Sequence, residues 1–278
     1  MRDELGYLFF PEPPLTLYHY CSASTFIKII ESRKLWLTDF SKMNDYAEET
    51  WAAKLVYQLH SQMARNEEGS ECFCNHYQEE YESRRLRARK FLCCFSENGD
   101  SLSQWRAYSD NGAGFAIGFN THRLRLIRNI PIPTIPDDQR RFLIKICYDH
   151  EKQTEFIKSC LRINANENSR EEFRTAYHLA FLSIAMKNPG FIEEKEWRIV
   201  YAPLDLRLNI NDTRAPILFR NSNRGIAPYF EHEFSYEAVL EIIVGPTNQT
   251  TDEDLNLFLA RCGFDNIHIT RANATYRG

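Results

Sequence analysis

The sequence lacks long apolar runs and the short motifs of several large enzyme classes. No stretch approaches the ~20 apolar residues of a membrane-spanning helix, and the first four residues do not begin a signal peptide. There is no GxxxxGK[ST] phosphate loop, no GxSxG elbow and no HExxH motif. These absences argue against P-loop enzymes, α/β-hydrolases and zincins, and we expect a cytoplasmic protein that does not enter a membrane.

Paired cysteine motifs and a basic charge excess are also missing. The eight cysteines are scattered without a CxxC pair, so we expect reduced thiols and no metal site. The net charge of −4 argues against a broadly basic surface for duplex nucleic acid. A local basic groove stays open as an alternative.

Hydrophobic periodicity predicts more strands than helices. The predicted helices cover 22–32, a segment after the turn at 41–45, 76–90, 101–109, 168–187 and a segment capped by Thr250 with Glu253. The predicted strands are 15–20, 35–38, 91–95, 115–119, 142–148, 196–201, 206–210, 215–219, 228–233, 239–244 and 267–270. Because strands and helices do not alternate strictly, the pattern favours an α+β fold. No long linker interrupts it, so we expect an N-terminal arm at 1–14 and one domain at 15–278.

Polar residues at predicted strand ends are the candidates for chemistry. His19 lies in a strand between two tyrosines, and Ser96 ends the apolar strand 91–95. Glu194 and Glu196 are alternate residues at the start of a strand, so both side chains should lean to one face. Each has a structural alternative: a hydrogen-bonded core histidine, a turn serine, and a solvated strand edge paired to Lys195 or Arg198.

An ordered series of short segments resembles a bacterial family known as domain of unknown function 2971. The segments are LYHY at 17–20, LWLT at 35–38, ND at 44–45 with Glu48, CFSE at 94–97, DSLSQW at 100–105 with Tyr108, GFAIGF at 114–119, EKEWR at 194–198, IIVG at 242–245 and TYR at 275–277. The resemblance spans about residues 15–277. It implies membership of a family but no reaction.

A more distant resemblance is to the ADP-ribosyltransferase superfamily, through a strand with a histidine, a strand ended by serine and a late strand opened by Glu-x-Glu. It implies an ADP-ribosyltransferase-like split fold, with strongly bent antiparallel or mixed sheets flanked by helices. NAD would be the substrate and no metal would be needed. By this resemblance His19 would bond the nicotinamide ribose or amide, and Ser96 would steady the ribose and the strand.

The same resemblance implies roles for the remaining candidates. Glu196 would bond the ribose 2′-hydroxyl and stabilise the cationic centre as nicotinamide leaves, and Glu194 would orient or deprotonate the acceptor. Tyr20 and Tyr108 would stack on the nicotinamide. On the short helix at 101–109, Trp105, Arg106 and Tyr108 would form a wall of the cleft, with Arg106 on the pyrophosphate. Core packing and surface ion pairs are the alternative for that helix.

These expectations together describe a NAD-dependent mono-ADP-ribosyltransferase. It would be a bacterial toxin or phage-defence effector that modifies a protein or nucleic acid and has a cognate antitoxin. A non-catalytic sensor module that binds a nucleotide or a partner on the same scaffold is the main alternative. A nuclease or phosphotransferase acting on RNA ends is a third, and it would need a basic cleft around His19.

Overall fold

The computed structural model describes residues 8–43, 46–64, 77–78, 89–126, 141–164, 179–203, 216–222 and 225–274. Several predictions therefore lie outside the described residues. These are the first seven residues of the arm, most of the helix at 76–90, the start of the helix at 168–187 and the strand at 206–210.

Ten strands in the described part of the chain form one mixed sheet, flanked by helices, which confirms the α+β prediction. Strands β9 and β10 are parallel to each other, and the other paired neighbours are antiparallel. The strands are β1 (Thr16–Cys21), β2 (Lys34–Asp39), β3 (Phe91–Ser96), β4 (Phe115–Asn120), β5 (Arg141–Lys145), β6 (Glu196–Tyr201), β7 (Leu218–Ser222), β8 (Gly225–Glu233), β9 (Val239–Val244) and β10 (His268–Arg271).

Five α-helices of seven residues or more are described, and most follow the predicted apolar spacing. In the first of them the Ser22 side chain caps the helix, and Phe26, Ile29 and Ile30 share its buried face, because residues three and four apart lie on one side of a helix. The helices are α1 (Ala23–Ser32), α2 (Tyr46–Ala64), α3 (Leu102–Tyr108), α4 (His150–Asn164) and α5 (Asp252–Arg261).

The structure corrects the helix predictions at three places, and β5 and β7 differ from the strands predicted at 142–148 and 215–219. Helix α4 was not predicted, although its buried residues Ile157, Cys160 and Leu161 have helical spacing. Helix α5 is capped one residue later than expected, because the Thr251 side chain accepts from the Asp254 N–H. The helix predicted to end at residue 187 is helical at 179–182 and continues as a 3-10 turn at Ser183–Ala185.

The two edges of β3 are paired very differently. One edge pairs with β6 along its whole length, from Phe91 opposite Tyr201 to Ser96 opposite Glu196. On the other edge, β1 pairs only at Ser96, and β2 pairs only at Phe91 and Leu92. The middle of β3, residues 93–95, therefore lies in a gap between β1 and β2, which we call the β1–β2 gap.

Strand alternation decides which face of the sheet each β3 side chain meets. Phe91, Cys93 and Phe95 pack into one hydrophobic cluster, and Leu92 packs into a second. Cys94 and Ser96 share the side of Leu92, and their β6 partners across the ladder are Arg198 and Glu196. Polar side chains thus enter the otherwise apolar sheet next to the β1–β2 gap.

Candidate functional site

A cavity of 240 Å³ lies at the β1–β2 gap. Its walls come from β1, α1, β2, β3, α3, β6 and β7, so it collects residues that are far apart in the chain. His19 and Glu196 both line it. This volume is somewhat below the ~300–1,000 Å³ of typical small-molecule sites, so it would enclose a small group or one part of a larger ligand.

His19 fills the open edge of β3. Its Nδ1 lies 2.9 Å from the Cys94 carbonyl oxygen, an acceptor that no strand uses across the gap. Since a carbonyl only accepts, Nδ1 carries the proton and Nε2 keeps a lone pair in the neutral ring. Burial lowers the pKa of His19, and the Cys94 bond only partly opposes this, so the imidazole is neutral at physiological pH.

Glu196 opens β6 and is held by two cations. The Arg198 guanidinium donates from Nε to Oε1 at 2.7 Å and from Nη2 to Oε2 at 2.8 Å. Lys187 Nζ is 3.4 Å from Oε2, and all three residues are buried. The bidentate contact follows from spacing, because residues two apart on a strand share a face.

The cations around Glu196 keep it ionised. Burial alone would raise its pKa, but the Arg198 and Lys187 charges and the hydrogen bonds from Arg198 and the Cys94 thiol outweigh burial and lower it well below the usual range. Burial, together with the charge of the same carboxylate, raises the pKa of the Cys94 thiol, which therefore stays protonated. Of the two partners considered from the sequence, the structure selects Arg198, in a buried pair and not at a solvated edge.

Glu194 reaches the same network from a different element than expected. It ends the 3-10 helix Pro189–Glu194, and Lys195 follows in a left-handed conformation with φ 44°. Its carboxylate pairs with Lys187 Nζ and accepts from the Tyr108 hydroxyl at 3.4 Å. Both carboxylates therefore meet at Lys187, although the alternation of a strand is not what brings them together.

Ser96 positions Glu194 without lining the cavity. Its hydroxyl donates to the Glu194 carbonyl oxygen at 2.7 Å and accepts from the Asn98 N–H at 3.1 Å. Glu97 N–H donates to the neighbouring Lys195 carbonyl oxygen at 3.1 Å. The end of β3 thus fixes the turn from which Glu194 extends.

The aromatic candidates divide between cavity and core. The Tyr108 hydroxyl lies at the cavity wall, and burial raises its pKa. Tyr20 borders the cavity, but its ring packs edge-on against the fully buried Trp105, and its hydroxyl bonds Asn98 and Ser101. Trp105 donates its indole N–H to Asp100 and does not border the cavity.

Arg106 is exposed on α3 and does not border the cavity. Arg106 therefore does not reach this cavity, where the resemblance would have it bind the pyrophosphate.

Several cavity residues were not singled out from the sequence, among them Lys42, Gln104, Lys187 and Arg220. Gln104 is 7% exposed and lines the cavity. Arg220 on β7 enters because β7 and β8 extend the sheet beyond β2. Sequence signals for them are weak: Gln104 precedes a tryptophan on a short helix, and Arg220 depends on a strand order that no local pattern reveals.

The family comparison matches the part of the chain that carries this network. The family model described as "Protein of unknown function (DUF2971)" matches residues 104–199. Over this segment the chain is similar to the DUF2971 family. The matched segment runs from Gln104 to the strand that carries Glu196 and Arg198, and it includes Lys187 and Glu194. Neither the curated proteins nor the solved structures yielded a match.

Two further observations concern the described ranges alone. No helix there has the length and apolar character needed to cross a membrane. The cysteines described are all free thiols: Cys21, Cys93, Cys94, Cys147, Cys160 and Cys262.

Proposed function

We propose that this protein is a NAD-dependent mono-ADP-ribosyltransferase, acting as a toxin or defence effector on a protein or nucleic acid. The observation that carries the proposal is that the His19 imidazole and the Glu196 carboxylate line the same cavity. One is a neutral ring whose Nε2 carries a lone pair that can accept a hydrogen bond, and the other is an anion at any physiological pH. These are the groups needed beside a ribose that becomes cationic.

In the proposed reaction the N-glycosidic bond of NAD breaks and its electron pair goes to the nicotinamide nitrogen. The ribose carbon then carries positive charge, which a fixed carboxylate at Glu196 stabilises. His19 Nε2 accepts from a ribose hydroxyl. An acceptor nucleophile forms the new bond to the ribose carbon, and its proton passes to Glu194, whose carboxylate lies at the Tyr108 side of the cavity.

Glu196 must keep an acceptor site for the substrate although it is already paired. A carboxylate offers about four lone-pair sites, and Arg198 and Lys187 occupy three. Its other contact is the Cys94 thiol, a weak donor that a ribose hydroxyl can replace. The paired cations hold the carboxylate in place, and they also reduce the field it offers a cationic ribose.

The proposal is tested by incubating the protein with NAD labelled in the adenylate and with cell lysate. Free nicotinamide and label transferred to macromolecules are measured. His19→Asn is the informative variant, because its amide can replace Nδ1 as donor to the Cys94 carbonyl while removing Nε2. We expect activity to fall at least tenfold in His19→Asn and to persist in His268→Asn, a control on the exposed end of β10. Absence of nicotinamide release, transfer and NAD binding in the unmodified protein overturns the proposal.

One observation favours a second candidate, a sensor that binds a nucleotide without turnover. Arg198 and Lys187 occupy three of the about four acceptor sites of the Glu196 carboxylate, as they would in a structural ion pair. Thermal unfolding with NAD separates the candidates, since a ligand at a hundred times its Kd stabilises the folded state by ~2.7 kcal/mol. Stabilisation with no nicotinamide release identifies the sensor.

A further inference from the structure

The charged residues around the cavity are unbalanced. Among the described residues that line it, four are cationic (Lys42, Lys187, Arg198 and Arg220) and two are carboxylates (Glu194 and Glu196). With His19 neutral, this is a formal excess of two positive charges in a chain whose net charge is −4. Since Lys187 and Arg198 pair with the two carboxylates, the excess belongs to Arg220 and Lys42.

Arg220 is held in place but not neutralised. Its Nη2 donates to the Thr38 hydroxyl at 3.0 Å, and its guanidinium carbon lies 5.7 Å from the centroid of the Trp36 ring. Its Nε is buried and has no hydrogen-bond partner among the described residues. No described carboxylate is within ion-pair distance of it, and burial lowers its pKa. A guanidinium in that state has donors to offer an anion.

The strand register places Arg220 on the face of the sheet that borders the cavity. Arg220 pairs with Ala227 on β8, and two residues further along β8 Tyr229 pairs with Thr38 on β2. Thr38 in turn pairs with Leu92 on β3. Because laterally paired residues share a face of the sheet, Arg220 lies on the side that also carries Cys94 and Glu196.

We infer that Arg220, together with Lys42, is the anion-binding end of the cavity and takes a phosphate group of a nucleotide ligand. The bound phosphate would complete the hydrogen bonding of Arg220 Nε and balance the excess charge. Thr38 and Leu92 lie at one end of β3 and Ser96 at the other, which at ~3.3 Å per residue separates the Arg220 end from the Glu194 end by roughly 13 Å. The inference rests on the proposed function only for the identity of the nucleotide.

The test uses ADP and adenosine as probes, so it needs no turnover. Binding of each to the full chain is measured by calorimetry at two salt concentrations. We expect ADP to bind at least tenfold more tightly than adenosine, with a preference that shrinks as salt rises. Arg220→Gln should remove most of this preference, and Arg220→Lys should restore part of it, because a lysine keeps the charge without the planar fork. The control Arg261→Gln, an exposed position on α5, should keep the preference.

The outcomes separate this inference from the proposed transferase. If ADP and adenosine bind equally, or if Arg220→Gln keeps the preference, the anion site is wrong even when nicotinamide is released. Loss of the preference in Arg106→Gln with Arg220→Gln unaffected would move the phosphate contact to α3 and also overturn it. If Arg220→Gln proves poorly folded, Lys42→Gln is the second test variant. It should weaken ADP binding at least threefold without changing the affinity for adenosine. If Arg220→Gln loses the preference for ADP and the unmodified protein does not turn over NAD, the anion site is supported and the proposed transferase activity is wrong.

Discussion

The two charged regions of the cavity differ in how their charges are balanced. Around Glu196, two carboxylates and two cations form a set with equal numbers of positive and negative charges. Arg220 and Lys42 line the same cavity, and neither forms an ion pair with a described carboxylate. The first arrangement fits a rigid scaffold that holds one anion in place, and the second fits a binding site for an anionic ligand.

The contrast bears on how mutants of the site should be interpreted. Removing one partner of a buried ion pair leaves an uncompensated charge, which costs far more than the pair contributes. An inactive Glu196 variant would therefore not by itself show that Glu196 is a catalytic residue. Arg220 has no carboxylate within ion-pair distance among the described residues and does not have this difficulty, because its removal leaves no described opposite charge behind.

The largest expected effect is the loss of stability in Glu196→Gln. Arg198 and Lys187 are both buried, and Arg198 would lose two charge-assisted hydrogen bonds. We expect the free energy of unfolding to fall by about 3–5 kcal/mol in denaturant titrations. Glu155→Gln, which breaks an exposed pair with Lys158, should cost no more than about 0.5 kcal/mol.

The double variant Glu196→Gln with Arg198→Met tests whether the unpaired Arg198 charge causes this loss of stability. It should recover part of the lost stability, because the stranded guanidinium is gone. A loss below about 1 kcal/mol in the single variant would mean that the network is as dispensable as a surface pair.

A smaller change in the free energy of unfolding is expected when the pH is lowered. The pKa of Glu196 is lowered on folding, so its contribution to stability is complete above the unfolded value of about 4.3 and is lost as pH falls through the folded value. The difference in unfolding free energy between the unmodified protein and Glu196→Gln should therefore be larger at pH 7 than at pH 3. A difference that does not change over this interval would show that the carboxylate is not the group that stabilises the network.

Most of the fold could be predicted from the sequence, because local patterns determine the strands and the buried faces of the helices. The bounds of β6 and β9 were predicted to the residue, and α1 was predicted from its cap and its apolar spacing. Helix α4 was missed because its first turns are charged and only a few apolar residues mark its buried side. Propensity alone is weak there, and packing against α2 decides the structure.

The candidate site was predictable only where side-chain direction follows from local spacing. Glu196 and Arg198 are two apart on a strand, so their contact could be read from the chain. His19 at the β1–β2 gap, Gln104 inside the cavity and Arg220 on β7 depend on long-range strand order, which no window of residues contains. The expected wall of Trp105 and Arg106 differs for the same reason, since the direction of α3 over β1 turns Trp105 into the core.

The smallest expected effect is that of Arg220→Met on stability, and it sharpens the contrast with the Glu196 network. Methionine keeps most of the apolar stem against Trp36 and loses the bond to Thr38, while the cost of holding an unpaired guanidinium half-buried disappears. These contributions oppose each other, so the unfolding free energy should change by less than about 1 kcal/mol. Arg198→Met, which strands Glu196, should lose about 3–5 kcal/mol in the same denaturant titration. A comparable loss in Arg220→Met would make Arg220 a structural residue, because a charge kept for a ligand contributes little to the fold before the ligand binds.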